Sequence, residues 1–318
     1  MELTQLPMVI FTVFAQMSVG AFLVLGVIQT FGSIRHSSAT VDRLADPALY
    51  AIGPTLVLGL IASMFHMHDV ANVLNVVRHV GSSWLSREIL LGTGFAGLGF
   101  LFAAAQWFKW GSPLFRQILA AVTALVGVGL VYVMSMIYYS LKAVPSWNTW
   151  FTPVQFGLTT VLLGSLAVGA AMLTAIMFRR HTLERGGKIF GAKTDGNVTE
   201  GEDITELLSI SLKGIALTAI ITGGLLLVLL PLHLSQLAAM GPAGVVPLQA
   251  YSGAGLAIRL ALIVIGTALL GVFTYLLADR GRNPRPLAVV ATLAFALVLV
   301  AEFMGRTQFY ESMMRIGI

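Results

Sequence analysis

Eight long apolar runs, separated by short polar connections, constrain this chain more than any other feature. They cover residues 8–31, 48–67, 88–108, 117–139, 154–178, 208–230, 253–277 and 286–304. Each falls within the roughly 17–25 residues that let a helix cross about 30 Å of hydrocarbon. In that solvent every backbone amide needs an internal partner, which leaves only helices or closed barrels. The period-two alternation of a barrel strand is absent. The sequence therefore predicts an all-α integral membrane protein of eight transmembrane helices with both termini outside, compatible with two four-helix bundles. Only 10% of the residues are charged, against about a quarter in a soluble domain.

The orientation follows from Lys and Arg in alternate connections. The set 32–47, 109–116, 179–207 and 278–285 carries twelve, and the set 1–7, 68–87, 140–153, 231–252 and 305–318 carries five. The basic-rich set belongs in the cytoplasm, which puts both termini outside a bacterial or archaeal cell membrane. The net charge of +5 thus encodes topology, and no nucleic-acid partner is expected. No basic stretch precedes the first run and no small-residue cleavage site follows it, so it reads as a span. Residues 1–318 form one transmembrane domain, with helices one to four in 1–140 and five to eight in 141–318. A Gly-rich cytoplasmic segment at 179–207 reads as a mobile linker. Runs two and six each lead into a His (His66 and His233), a hint of an old duplication.

Several signals are discounted. Gly92-Thr93-Gly94-Phe95-Ala96-Gly97 matches a dinucleotide fingerprint, but that motif works only at a strand-to-helix turn. Inside an apolar run the same small residues let helices approach closely. With no cysteine in the sequence, disulfides, thiolate metal sites and resident iron–sulfur clusters are excluded. Haem needs paired axial His across spans, and only His66 belongs firmly to one. His66 and His68 are two apart and diverge on a helix. No haem and no metal site is expected.

Five ionisable residues lie inside or at the lip of an apolar run: His66, Glu88, Lys213, Arg259 and Glu302. Charges in hydrocarbon are costly and mark partners or function. Lys213 sits at an inner end, where its stem snorkels to the interface. The other four are expected near the outer face, with Arg306 and Tyr310 directly after the last run. Structurally, Arg259 pairs with Glu302. Functionally, His66 and Glu88 suit proton transfer near neutral pH, as oxidation of a membrane-soluble quinol requires.

At these residues the chain resembles the membrane anchor subunits of dimethyl sulfoxide reductase-type molybdoenzymes (the DmsC family), within the wider polysulfide reductase-type anchors. The likeness rests on Leu6-Pro7-Met8-Val9-Ile10-Phe11-Thr12-Val13-Phe14-Ala15-Gln16 and on Gly59-Leu60-Ile61-Ala62-Ser63-Met64-Phe65-His66. Further matches are Ser86-Arg87-Glu88, the stretch from Val144-Pro145-Ser146-Trp147 to Thr152-Pro153, and Glu302 to Arg306 and Tyr310. The resemblance implies a subunit that binds menaquinol or ubiquinol and passes electrons to an iron–sulfur subunit, which feeds a molybdopterin catalytic subunit. It implicates His66 and Glu88 in the quinol site, the two groups given catalytic roles. Arg259, Glu302, Arg306 and Tyr310 are added as quinol-binding candidates. Iron–sulfur clusters and molybdopterin are expected only in the partner subunits. One departure is visible: the family continues after its His with Leu-Gly-Ser/Thr-Pro, where this chain has Met67-His68-Asp69-Val70. Two other readings fit the composition, a secondary transporter and a structural anchor without a quinone site. Against the transporter, no paired Gly/Pro breaks interrupt corresponding spans.

Overall fold

The protein is described from a computed structural model. It describes residues 5–37, 40–42, 44, 46, 49, 53, 57–59, 61, 77–184, 202–278 and 284–316. The described part is helical, without strands, and seven of its helices are long and apolar enough to cross a membrane. They are α1 (Leu6–Arg35), α2 (Trp84–Trp107), α3 (Pro113–Tyr139), α4 (Phe151–Glu184), α5 (Glu202–Ala238), the seventh run, and the last helix. The seventh run is built from α7 (Gly253–Ile263), a π-helical segment (Val264–Leu269) and α8 (Leu270–Leu277), and the last helix is α9 (Pro284–Glu311). A short helix, α6 (Pro242–Ala250), lies between α5 and α7. This is a multi-pass membrane protein.

The expected second run, 48–67, falls mostly outside the described residues. At Gly59 an added Cβ would lie 3.6 Å from the Ala15 backbone nitrogen and Phe14 Cβ, so that part of the run rests against α1. The middle of the expected linker, 185–201, is likewise outside the described residues. The other runs are all helical, but the helices continue past several of them. The last extends to Glu311, so Arg306 and Tyr310 belong to a helix and not to the tail that the hydropathy suggested. Spacing of four then puts Glu302, Arg306 and Tyr310 on one face.

Local chemistry sets the helix starts. Ser83 and Ser112 accept from the backbone N–H groups of Ser86 and Phe115, and Pro113 opens α3, the N-cap arrangement that satisfies orphan donors. The tight α2–α3 turn holds Lys109 and Gly111 at positive φ.

Helices α1 and α4 form the centre of the bundle, and α1 carries Val13, Met17, Phe22 and Leu25 into the core. Its closest crossing is with α4, at Gly20 and Gly164. A Cβ on Gly20 would lie 1.8 Å from the Thr160 carbonyl oxygen, and one on Gly164 would lie 2.1 Å from the Gly20 carbonyl carbon. This backbone-to-backbone contact is the small-residue packing favoured between membrane helices. The Gly92–Gly97 run lies wholly within α2, away from any strand-to-helix turn. Gly92 and Gly94 lie in van der Waals contact with Leu130 and Val126 of α3, Gly97 faces open space, and Gly99 is buried.

The connections share faces as the basic asymmetry requires. Arg116 donates to Asp42 at 3.0 Å, and Gln106 and Lys109 donate to Asp42 and Asp46 at 2.8–3.4 Å. This ties 32–47 to 109–116 on the basic face. At the other end Ser146 donates to the Ser312 carbonyl at 2.8 Å, Trp147 Nε1 to the Phe309 carbonyl at 2.8 Å, and the Ile316 N–H to the Ala143 carbonyl at 2.9 Å. The 140–153 connection therefore grips the C-terminal end.

Candidate functional site

Beneath the 140–153 connection the bundle closes on an aromatic and polar cluster. The rings of Tyr138, Trp147, Phe156, Phe309 and Tyr310 pack with centroids 5.1–6.3 Å apart. The hydroxyls of Tyr138 and Tyr310 share a buried hydrogen bond of 2.9 Å. Glu88, at the start of α2, is only partly exposed and is close enough to act electrostatically on both phenols. The structure thus joins α2, α3 and α9 at the face where Glu88 and Tyr310 were expected.

One turn deeper than Tyr310 lies Arg306, 2% exposed. Its guanidinium stacks over Phe156 at 3.8 Å and donates from Nη2 to Gln16 Oε1 at 2.7 Å. Gln16 in turn donates to the Phe156 carbonyl at 3.0 Å, so α1, α4 and α9 meet at this one amide. A further turn down, Glu302 accepts from the Thr159 hydroxyl at 2.6 Å. Its other oxygen, Oε1, is buried without a partner, as are Arg306 Nη1 and Arg259 Nε. Buried polar atoms are normally satisfied, so three orphans within one charged cluster set this end of the bundle apart from the apolar core.

The expected Arg259–Glu302 pair does not form. Arg259 is 1% exposed and donates from Nη1 to Gln308 Oε1 at 3.2 Å, while Glu302 takes its hydrogen bond from Thr159. The geometric cause is Gly305. A Cβ there would sit 2.4 Å from Arg259 Cζ, so the guanidinium lies across the α9 backbone, toward Gln308. Lys109 and Arg116 form ion pairs with Asp42 and Asp46 at the basic face, whereas neither Arg259 nor Arg306 reaches a described carboxylate within salt-bridge distance. Two buried cations at the other end therefore go without a salt bridge, held by amides, a π face and the longer-range field of Glu302 and the tyrosines.

Of the residues expected here, Glu88, Arg259, Glu302, Arg306 and Tyr310 all belong to this end of the bundle. His66 lies outside the described residues, as does His68. Lys213 is on α5 with its ammonium 5.7 Å from the Tyr275 ring centroid, apart from the cluster. Sequence reasoning missed Tyr138, Gln16, Thr159 and Gln308. A usable signal existed for Gln16, an amide inside an otherwise apolar stretch of the first run. His233 lies apart from Glu88, stacked on Phe151 with centroids 4.4 Å apart and beside Tyr251. Burial raises the Tyr251 phenol above its ordinary value, against the opposing pull of Arg259.

The sequence matches known proteins along nearly its whole length. The family model described as "DMSO reductase anchor subunit (DmsC)" matches residues 1–311. One polypeptide of the anaerobic dimethyl sulfoxide reductase of Escherichia coli (strain K12) is 27% identical over 315 residues, spanning 98% of this chain and 96% of its own length. Its namesake from the anaerobic dimethyl sulfoxide reductase of Haemophilus influenzae is 30% identical over 317 residues, spanning 99% and 97%. A sulfite dehydrogenase subunit of Allochromatium vinosum is 30% identical over 153 residues, less than half of either protein. The match spans nearly the whole sequence and takes in the residues of the buried cluster, and the chain therefore belongs to the dimethyl sulfoxide reductase anchor subunit (DmsC) family as a multi-pass membrane anchor.

Proposed function

We propose that this anchor oxidises quinol at the Glu88–Tyr138–Tyr310 cluster, on the outer side of the membrane, and delivers the electrons to an iron–sulfur partner that feeds a molybdopterin catalytic subunit. The observation that carries the reading is a partly exposed carboxylate within electrostatic reach of a hydrogen-bonded tyrosine pair, backed by two buried arginines without a salt bridge.

Oxidising a quinol (menaquinol or ubiquinol) releases two electrons and two protons. Glu88 accepts the two ring-hydroxyl protons one after the other, passing each to water at the outer face before taking the next. His66 hydrogen-bonds one ring oxygen. The Tyr138–Tyr310 pair can donate or accept in either direction, so it follows the ring oxygen from hydroxyl to carbonyl. Arg306 and Arg259 stabilise negative charge as the quinol deprotonates, and buried guanidiniums do so more effectively than exposed ones because the local dielectric is low. Electrons and protons leave on the same side, so this half-reaction moves no net charge across the membrane.

The contrast between His66 and His68 tests the assignment. His66→Ala is expected to lose quinol-linked turnover by about 10²–10⁴-fold, the usual worth of a general acid–base group, while dye-linked reduction by the assembled complex persists. His68→Ala, two residues further along the sequence, stays within a few-fold of wild type. Near-normal quinol turnover in His66→Ala removes His66 from the site.

A further inference from the structure

A well-defined cavity bounded by described residues lies away from this cluster. It lies at the opposite, basic end, where α1, α4 and α5 diverge, and has a volume of about 650 Å³. Its walls are apolar, from Leu23, Val27 and Phe31 on α1 to Ile210 and Ile215 on α5, and its rim carries Arg35 and His36. We propose that this groove binds an anionic diacyl phospholipid, with an acyl chain along α1 and α5 and the phosphate at Arg35 and His36.

Four observations favour that occupant. The volume lies within the few hundred to about 1,000 Å³ of ligand pockets, whereas a helix 10–12 Å across running half the hydrocarbon depth needs much more. Arg35 ends α1 as an exposed cation, with no ion pair to a described acid. Beside it, His36 lines the same rim, and its Nε2 has no hydrogen-bond partner within the protein. Finally, the nearest acid along α5, Glu206, is exposed and not part of the lining, and Asp42 is engaged by Arg116 and Lys109. The groove's polar end thus selects an anion on the face that carries most of the basic residues, where pockets of this kind recognise anionic headgroups. A neutral quinone carbonyl gains less from that charge than a phosphate does, since charge-assisted hydrogen bonds to an anion are the stronger ones.

The test is native mass spectrometry of the intact complex, extracted in mild detergent and mixed with equal amounts of phosphatidylglycerol and phosphatidylcholine. Wild type is expected to retain one phosphatidylglycerol in preference to phosphatidylcholine. Arg35→Gln combined with His36→Ala should cut that preference by about fivefold or more, the effect of one basic residue near an anionic lipid. Gly214→Leu, whose Cβ position is open and faces the groove, should expel the retained lipid. Gly97→Leu, equally open but on the exposed side of α2, should not. Equal retention of the two lipids by wild type, a quinone as the retained species, or unchanged preference in the Arg35/His36 variant each overturns the proposal. If Gly214→Leu fails to assemble, the rim variant decides alone. None of these readouts uses turnover, so the quinol reading stands or falls separately.

Discussion

Glu88→Gln should reduce quinol-linked turnover by about 10²–10⁴-fold while leaving the complex assembled and active with artificial dyes. The amide keeps the size and much of the hydrogen-bonding capacity of the carboxylate but cannot take a proton. Glu88 is partly exposed in the second turn of α2, so the isosteric change leaves no buried cavity, and stability should hold. The tyrosine pair beyond it, joined at 2.9 Å, keeps its own hydrogen bond. An effect confined to quinol-linked turnover separates proton acceptance from packing, and parallel loss of dye-linked activity would instead mean a damaged fold. Steady-state assays with a soluble quinol analogue and with a reduced dye, on the same preparation, make the comparison.

A second large effect is expected far from any charge. Gly164→Leu places a side chain where a Cβ alone would lie 2.1–2.4 Å from the α1 backbone at Gly20 and Ala21. Overpacking a core usually costs about 1–3 kcal/mol because side chains can shift, but here the obstacle is backbone on both sides. Relief requires α1 and α4 to separate. Doing so also pulls Gln16 from the Phe156 carbonyl and from Arg306, leaving a buried charge and buried amide unsatisfied. The variant should therefore fail to accumulate as an assembled complex, read by size-exclusion of detergent extracts, while Gly97→Leu accumulates normally. Wild-type levels of Gly164→Leu would show that this crossing is not where the helices meet most closely.

Much of the architecture was legible because hydrocarbon makes one demand of every span, a long apolar helix, and the sequence meets it openly. What hydropathy could not show was where those helices stop. Polar and aromatic residues such as Arg306 and Tyr310 continue α9 past its apolar run, since a helix satisfies its own backbone at an interface as well as in lipid. The π-helical segment Val264–Leu269 was equally hidden, because a one-residue slip leaves no trace in a stretch that is apolar on every face. Tight glycine contacts depend on register. The motif-like Gly92–Gly97 drew attention, yet the true crossing uses Gly20 and Gly164, single glycines with no pattern between them.

The site was legible by its charges and illegible by its neutral polar groups. Glu88, Arg259, Glu302, Arg306 and Tyr310 stood out because ionisable residues in apolar runs are rare. Their partners did not. Complementary sign suggested Arg259 with Glu302, but Gly305 lays the guanidinium across α9 toward Gln308, and Thr159 claims the carboxylate. Amides and hydroxyls in membrane helices are common enough that sequence alone cannot say which ones face a buried charge.

The central claim is where the quinol binds, and a photoreactive quinone analogue tests it most directly. Irradiating the intact complex with bound analogue and mapping the label by peptide mass spectrometry offers two well-separated destinations. The account predicts labelling of peptides carrying Glu88, Tyr138 or Tyr310, suppressed by excess quinol. Labelling concentrated instead on the groove at Leu23–His36 and Leu207–Thr218, at the opposite end of the bundle, would contradict it.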